Sequence, residues 1–270
     1  MNISHISDNL SPELFSKFSR LIFQLSGIYM KDSKIVLLSN RLRKRMQVLN
    51  INSYDEYYNY LLTHKEEYEN FINVISTNET YFFRSESQIE SFSNMILPLI
   101  INRKGYAKIW SAGCSTGEEP YSLAIVADNL GVLNKVDILA TDINSEVIEK
   151  AKKGIYNLRR LKYVDQNTLK KYFTKIDEEN YKISSILSTK INFKIHNLIK
   201  DEYPKNLDII FCRNVMIYFN RDIQKEIVDK FYNSIDKGGF FFIGHAETLY
   251  VISDKFKYLK IGNSSVYYKE

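Results

Sequence analysis

The spacing of apolar residues changes character near Asn78. Before that point the period is helical: Leu14, Phe15, Phe18, Leu21, Ile22 and Leu25 recur at intervals that put them on one face of a helix. Ser11-Pro12 supplies an N-cap and a proline at the first helical position, and Gly27 closes the segment. A second helix sets Ile35, Leu38, Leu42 and Leu49 on one side, with Arg41, Lys44 and Arg45 on the other. Ser53-Tyr54-Asp55-Glu56 reads as a capping box that opens a third helix carrying Tyr57 and Leu61. A fourth runs through Tyr68, Phe71, Ile72 and Ile75. Residues 1–76 are therefore predicted to form a small helical domain.

Beyond Asn78 a helix around Ile89, Phe92, Ile96 and Leu99 leads into short apolar runs separated by amphipathic stretches. The runs are Ala107–Ala112, Val136–Thr141, Ile191–His196, Leu207–Cys212 and Gly239–Gly244; the stretches are Pro120–Leu130, Ser145–Lys153 and Arg221–Ile235. Such alternation predicts an α/β domain over 77–270 with a parallel, doubly wound sheet. Gly262-Asn263, between Phe256–Ile261 and Ser264–Lys269, reads as a closing hairpin. One stretch breaks the alternation. A short helix at Asp165–Tyr172, then Tyr172–Ile176 and Tyr181–Ile186 around Asp177-Glu178-Glu179-Asn180, predicts a small antiparallel insertion at about 157–190.

Composition narrows the function classes. The chain has 270 residues, 44% of them apolar, which is enough for a real core, and 20 Tyr and 16 Phe are accounted for mostly as core packing. A net charge of +5 is too small to argue for nucleic acid by itself. Much of the excess is local: Lys31, Lys34, Arg41, Arg43, Lys44 and Arg45 stand against Asp32 alone, a patch that suits an acidic partner or is simply a solvated helix face. Cys114 and Cys212 imply no disulfide framework, and His5, His64, His196 and His245 lack ligand spacing, so no metal is expected. The segment Met1–Leu10 is polar, and no apolar run approaches the ~20 residues that span a bilayer. A soluble, cytoplasmic protein without membrane insertion is expected.

Candidate chemistry sits where runs end. The first is followed by Gly113-Cys114-Ser115-Thr116-Gly117-Glu118-Glu119-Pro120, a small-residue turn into a helix of the nucleotide-binding kind. It is not G-x-G-x-x-G, and two carboxylates at a helix start repel a pyrophosphate, so the loop favours a cationic ligand over NAD or ATP. Glu118 is preferred for that contact, although both glutamates also complement the helix dipole. S-adenosylmethionine, with its ammonium and sulfonium, fits. Asp142 ends the second run, where an acid can take ribose hydroxyls or cap the next helix. Asn197-Leu198 ends the third, suited to an adenine edge and face or to an ordinary turn. Arg213 and Asn214 end the fourth, facing the site or capping locally, and the Asn/Asp-Pro-Pro-Tyr/Phe loop of base-amine methyltransferases is missing there. Asn78-Glu79-Thr80-Tyr81-Phe82-Phe83-Arg84, at the join between the domains, is either a hydrophobic plug or part of a ligand site.

Taken in order, Asn78–Arg84, Trp110–Ser122, Thr141–Asp142, Asn197–Leu198, Phe211–Phe219 and Gly238–Glu247 resemble the chemotaxis receptor methyltransferases, the CheR family. The resemblance runs from about residue 75 to the end, and the helical N-terminus is also similar. It implies a Rossmann-like domain that binds S-adenosylmethionine and releases S-adenosylhomocysteine. It further implies that Asn78, Thr80, Arg84, Gly113, Glu118, Asp142, Asn197, Leu198, Arg213 and Asn214 bind the cofactor, with Arg84 and Tyr218 near the transferred methyl. The expected activity is methyl-ester formation on glutamates in the cytoplasmic domain of methyl-accepting chemotaxis receptors, by a monomer, with the insertion docking on the receptor. A non-catalytic S-adenosylmethionine-binding regulator and a nucleic-acid methyltransferase are the alternatives.

Overall fold

A computed structural model describes residues 9–270; His5 and the other residues of 1–8 in the polar N-terminal segment lie outside the described residues. By packing, the chain divides into two compact units, one of 1–77 with 218–220, the other of 78–217 with 221–270.

The first unit holds α1 (Pro12–Ser26), α2 (Ile35–Leu49), α3 (Tyr54–Thr63) and α4 (Tyr68–Ile75). The end signals work as their chemistry requires. Ser11 Oγ accepts the Leu14 N–H at 3.2 Å, and Gly27 leaves α1 at φ 73°, a conformation that costs glycine nothing. Ser53 Oγ takes the Glu56 N–H at 3.2 Å, while the Glu56 carboxylate reaches Asn52 N–H rather than closing the box on Ser53. Phe18, Leu38, Leu42, Tyr57, Leu61 and Phe71 are fully buried between the helices. Within this core lies Glu67, 4% exposed, bound by Arg45 Nε and Nη2 at 2.6 Å each and by the Tyr57 hydroxyl at 3.1 Å. Burial raises the pKa of Glu67, but the hydrogen bonds from Arg45 and Asn70 outweigh it and the net shift is downward.

The basic patch is thereby smaller than the sequence suggests. Arg45 is spent on Glu67, and Arg41 turns to the Ile75 carbonyl and to Thr77 Oγ1. Lys31, Lys34 and Lys44 remain exposed. The segment Tyr218–Asn220 joins this unit although it follows the fourth strand of the main sheet, because the Tyr29 N–H donates to the Tyr218 carbonyl at 2.8 Å.

The second unit opens with α5 (Glu86–Ser91), which widens into a π turn at Phe92–Ile96 before α6 (Leu97–Lys104). Pro98 explains the widening: it has no N–H for the Asn94 carbonyl, and its ring would clash there in a regular helix. Then follow β1 (Ala107–Ala112), α7 (Glu118–Asn129), β2 (Val136–Asp142) and α8 (Ser145–Lys153). The insertion comprises β3 (Ile155–Asn157), α9 (Gln166–Tyr172), β4 (Phe173–Lys175), β5 (Asn180–Ile183) and α10 (Ser185–Ser188). The chain ends with β6 (Ile191–Ile195), β7 (Leu207–Cys212), α11 (Arg221–Ser234), β8 (Ile235–Ile243), β9 (Lys257–Ile261) and β10 (Ser264–Tyr268).

Seven strands form one sheet in the order β6-β2-β1-β7-β8-β10-β9. Its first five are parallel, and the β9–β10 hairpin adds an antiparallel edge. The order reverses between β1 and β7, which makes their carboxyl ends the switch point where ligands bind in such sheets. The small antiparallel sheet runs β3-β5-β4. Its outer strand β3 lies just before the predicted insertion: three residues are too few to show a period, and β3 is defined only by pairing with β5. Strand β8 likewise begins at Ile235 rather than Gly239, with a register shift against β7 that the alternation hides.

The Arg45–Glu67 pair gives a stability test. Breaking a buried pair leaves an uncompensated charge, so Glu67→Ala should cost about 3 kcal/mol in urea unfolding at neutral pH. Because the folded pKa of Glu67 is depressed, its contribution is complete above the unfolded value of ~4.3 and is lost as pH falls through the folded value.

Candidate active site

The carboxyl ends of β1, β2 and β7 present three loops that are tied to one another by carboxylates. After β1 the chain turns through Gly113 (φ 81°), Ser115 (φ 50°) and Gly117 (φ 93°), so that successive N–H groups converge. Gly113 and Cys114 donate to the Thr141 carbonyl at 2.7 and 2.9 Å. Asp142, at the tip of β2, accepts the Ser115 N–H at 2.9 Å on Oδ2 and the Asn144 N–H at 3.0 Å on Oδ1. The Ile143 N–H also bonds to the carboxylate, which still leaves acceptor capacity for a further hydroxyl. Asn144 then caps α8 through the Val147 N–H at 3.2 Å, so the acid at the tip is not itself the helix cap.

The two glutamates of the first loop have different surroundings. Both oxygens of Glu119 are committed, one to Ser111 Oγ at 2.7 Å and the other to Arg213 Nη1 at 3.1 Å. Glu118 is fully buried, and its close donor is the Thr116 hydroxyl, at 2.6 Å, with Arg160 Nε a looser 3.6 Å away. Burial raises its pKa against those donors. Glu118 is therefore the less tightly paired of the two carboxylates. Burial also raises the pKa of Asp142. The field these acids create is visible at Cys114, whose thiol is pushed well up by burial and then by Asp142, Glu119 and Glu118.

Arg84 lies in strained backbone. Phe83 on one side has φ 55° and Ser85 on the other φ 61°, values that side chains with a Cβ rarely adopt. The strain is held by specific bonds: Phe83 N–H to Ser122 Oγ at 2.9 Å, and Arg213 Nη2 to the Arg84 carbonyl. Phe82, fully buried, packs edge-on against Tyr156 and Phe173 at 4.8 and 5.2 Å between ring centres, so part of the segment is indeed a plug. Arg84 itself donates to the Glu79 carbonyl at 2.9 Å and lies 5.6 Å from the Tyr81 ring centre. Asn78 joins the first loop, its carbonyl accepting from Ser115 Oγ at 3.3 Å, and the buried Thr80 gives its carbonyl to Arg160.

The structure therefore brings Asn78, Thr80, Arg84, Gly113, Glu118, Asp142 and Arg213 into one hydrogen-bonded neighbourhood. Arg213 is buried as a brace: burial lowers its pKa, with Glu119 opposing, and it ties α7 to the Arg84 loop. Asn197 sits in a turn after β6, its Oδ1 taking the Ile199 N–H at 3.1 Å, and Leu198 next to it is buried. Asn214 adopts φ 60°. Tyr218 packs with the helical unit, as described. Two residues escaped the sequence reading. Arg160 reaches from the insertion to Glu118 and Thr80, a pairing that no local pattern signals. Glu247 receives the backbone N–H groups of Gly244, Asn214 and Ile217, and its only signal was its place in the Gly238–Glu247 string. Among the described residues, no group of three or more His, Cys, Asp or Glu side chains could hold a metal ion, and no helix is long and apolar enough to cross a membrane.

The first loop has no room for a side chain at its start. A Cβ on Gly113 would lie 2.4 Å from Val215 Cγ2, and its φ of 81° is left-handed. Gly113→Ala should therefore lower stability by about 2 kcal/mol or more and weaken ligand binding. Adding Val215→Ala should restore the clash portion and leave the ~1–2 kcal/mol backbone cost, as read by thermal unfolding of the single and double variants.

Comparison with known proteins agrees with this geometry. Residues 13–76 match the all-alpha domain of CheR methyltransferases and residues 78–264 match their S-adenosylmethionine-binding domain. A chemotaxis protein methyltransferase of Borreliella burgdorferi is 33% identical over 92% of this chain and 92% of its own length. Chemotaxis protein methyltransferase 2 of Vibrio cholerae is 34% identical over 94% and 92%. The chemotaxis protein methyltransferase of Escherichia coli is 36% identical over 92% and 88%. With both domains matched in order and relatives aligned along nearly the whole length, this chain belongs to the CheR methyltransferase family.

Proposed function

We propose that the protein transfers the methyl group of S-adenosylmethionine to glutamate side chains of chemotaxis receptors, giving glutamyl 5-O-methyl esters and S-adenosylhomocysteine. The observation that carries the reading is the charge at the switch point. Buried Glu118 and half-buried Asp142 stand there as carboxylates, Glu118 with Arg160 Nε at a loose 3.6 Å, while the buried Arg213 is consumed by Glu119. Such a crevice repels phosphates and suits a cationic ligand. The bound donor supplies an electrophilic methyl on a sulfonium.

The chain's own residues then have a limited task. In this reading Asp142 would accept from the ribose, Glu118 would meet the ammonium, Gly113 would let the backbone come close, and Asn197-Leu198 would meet adenine. The receptor carboxylate, ordinary pKa ~4.3, is already ionised at neutral pH, so no general base is needed. One C–O bond forms as one C–S bond breaks, and no proton moves. Two opposite charges cancel as this happens, so a cation clamped on the carboxylate would favour the ground state. Arg84 accordingly acts by orientation, and catalysis rests on alignment and exclusion of water. Tyr218 is assigned near the transferred methyl. Exposed Lys31, Lys34 and Lys44 on the helical unit supply positive charge for an acidic receptor segment.

Incubation with methyl-labelled donor and receptor-enriched membranes should put base-labile label on the receptor; label that survives mild alkali excludes the ester. Arg84→Ala should lower transfer more than donor binding, and unchanged turnover would remove Arg84 from the site. Donor affinity should fall toward acid, beginning above the ordinary glutamate pKa, because the raised values of Glu118 and Asp142 bring protonation forward and only the ionised forms attract the cation. Calorimetric titration across pH checks this.

A further inference from the structure

The loop after β7 supplies Arg213 and Asn214 and leads directly into Tyr218, yet nothing in its own sequence fixes its shape. Asn214 adopts φ 60°, and the N–H groups of Asn214, Met216 and Ile217 have left the sheet without entering a long helix. One carboxylate answers them. Glu247 Oε2 accepts the Asn214 N–H at 3.0 Å and the Gly244 N–H, Oε1 accepts the Ile217 N–H at 3.2 Å, and the Met216 N–H also bonds to the group. The fit is tight. A Cβ on Gly244 would lie 2.5 Å from Glu247 Oε2 and 2.9 Å from the Asn214 nitrogen, so the residue that follows β8 must be glycine for the carboxylate to seat.

We infer that Glu247 is a positioning residue for methyl transfer, a clamp that fixes the β7 loop and thereby the placement of Arg213, Asn214 and the start of the Tyr218 turn. It acts through backbone, by hydrogen bonds to main-chain N–H groups. Only an ionised carboxylate suits the place, being purely an acceptor facing several N–H donors. Burial raises its pKa and outweighs the four N–H bonds that lower it, so the net shift is upward. Glutamine would turn an NH2 toward one of those N–H groups and displace the loop. A shift of about 1 Å in a positioned group is enough to cost on the order of 100-fold in rate.

The inference rests on the methyltransferase reading, and the test separates the two. The other end of β7 provides the control: Asp208 is fully buried and accepts from Lys104 Nζ at 2.6 Å and from the Lys108 N–H at 2.8 Å, away from the loop. Glu247→Gln, Glu247→Asp, Gly244→Ala and Asp208→Asn are made in the full chain, and Tm, kcat and KM are measured with labelled donor and receptor-enriched membranes. Glu247→Gln and Gly244→Ala should lower kcat/KM about tenfold or more, Glu247→Asp should recover part of it, and Asp208→Asn should stay near wild type at a comparable loss of Tm. Wild-type kinetics in folded Glu247→Gln, or activity that tracks Tm alike at positions 247 and 208, overturns the clamp. Should Glu247→Gln fail to fold, Glu247→Asp and Gly244→Ala decide in the same way. If the wild-type protein labels no receptor, the functional reading has failed, and the clamp is judged by S-adenosylhomocysteine affinity: about tenfold weaker binding in Glu247→Gln upholds it and unchanged binding overturns it.

Discussion

A carboxylate taken out of water must be met by donors, and the whole strand-tip region of this protein is organised by that requirement. Parallel strands end with backbone N–H groups that no neighbour in the sheet accepts. Asp142 takes those of the β1 and β2 loops, Glu247 takes those of the β7 loop and the end of β8, and Glu119 takes Ser111 and Arg213. Four strands that contribute separate loops are thereby held as one surface. The same anions set the potential of that surface, so the framework and the preference for a cationic ligand come from one set of groups.

Arg84 shows how such a framework holds strain. Two neighbouring residues with side chains in left-handed backbone cost of order 1–3 kcal/mol each and persist only where the surroundings over-determine them. Here the restraints come from α7 through Ser122, from β7 through Arg213 and from the aromatic seat of Phe82. Arg213 thus has a role that a list of ligand contacts would miss. It converts the Glu119 charge into a fixed position for the Arg84 carbonyl, and it does so while itself buried.

The insertion is joined to this region by Arg160, which approaches Glu118 and bonds the Thr80 carbonyl, while its own carbonyl accepts the Phe82 N–H at 3.2 Å. A subdomain that reads in the sequence as a small insertion therefore contributes a side chain and a backbone group to the edge of the candidate site. Its sheet depends on β5 pairing with strands on both sides, so no single segment of it carries a strong local signal.

What the sequence determined by itself was everything governed by short-range rules. The periods of the helices, the caps at Ser11, Gly27 and Ser53, the strands Ala107–Ala112 and Leu207–Cys212 and the placement of chemistry at strand ends all depend on neighbours a few positions apart. The preference for a cation over a phosphate was legible too, because Glu118-Glu119 stand next to a helix start in the chain itself. Only tertiary structure decided which glutamate takes the close arginine, since Arg213 follows a strand distant in sequence, and which is left with Arg160 at a loose 3.6 Å. It also drew Arg41 and Arg45 inward from the basic patch and assigned Tyr218–Asn220 to the helical unit. The reason is the same in each case: a charge or an N–H group finds its partner through space, and the chain order of the partners is fixed only once the sheet has brought them together.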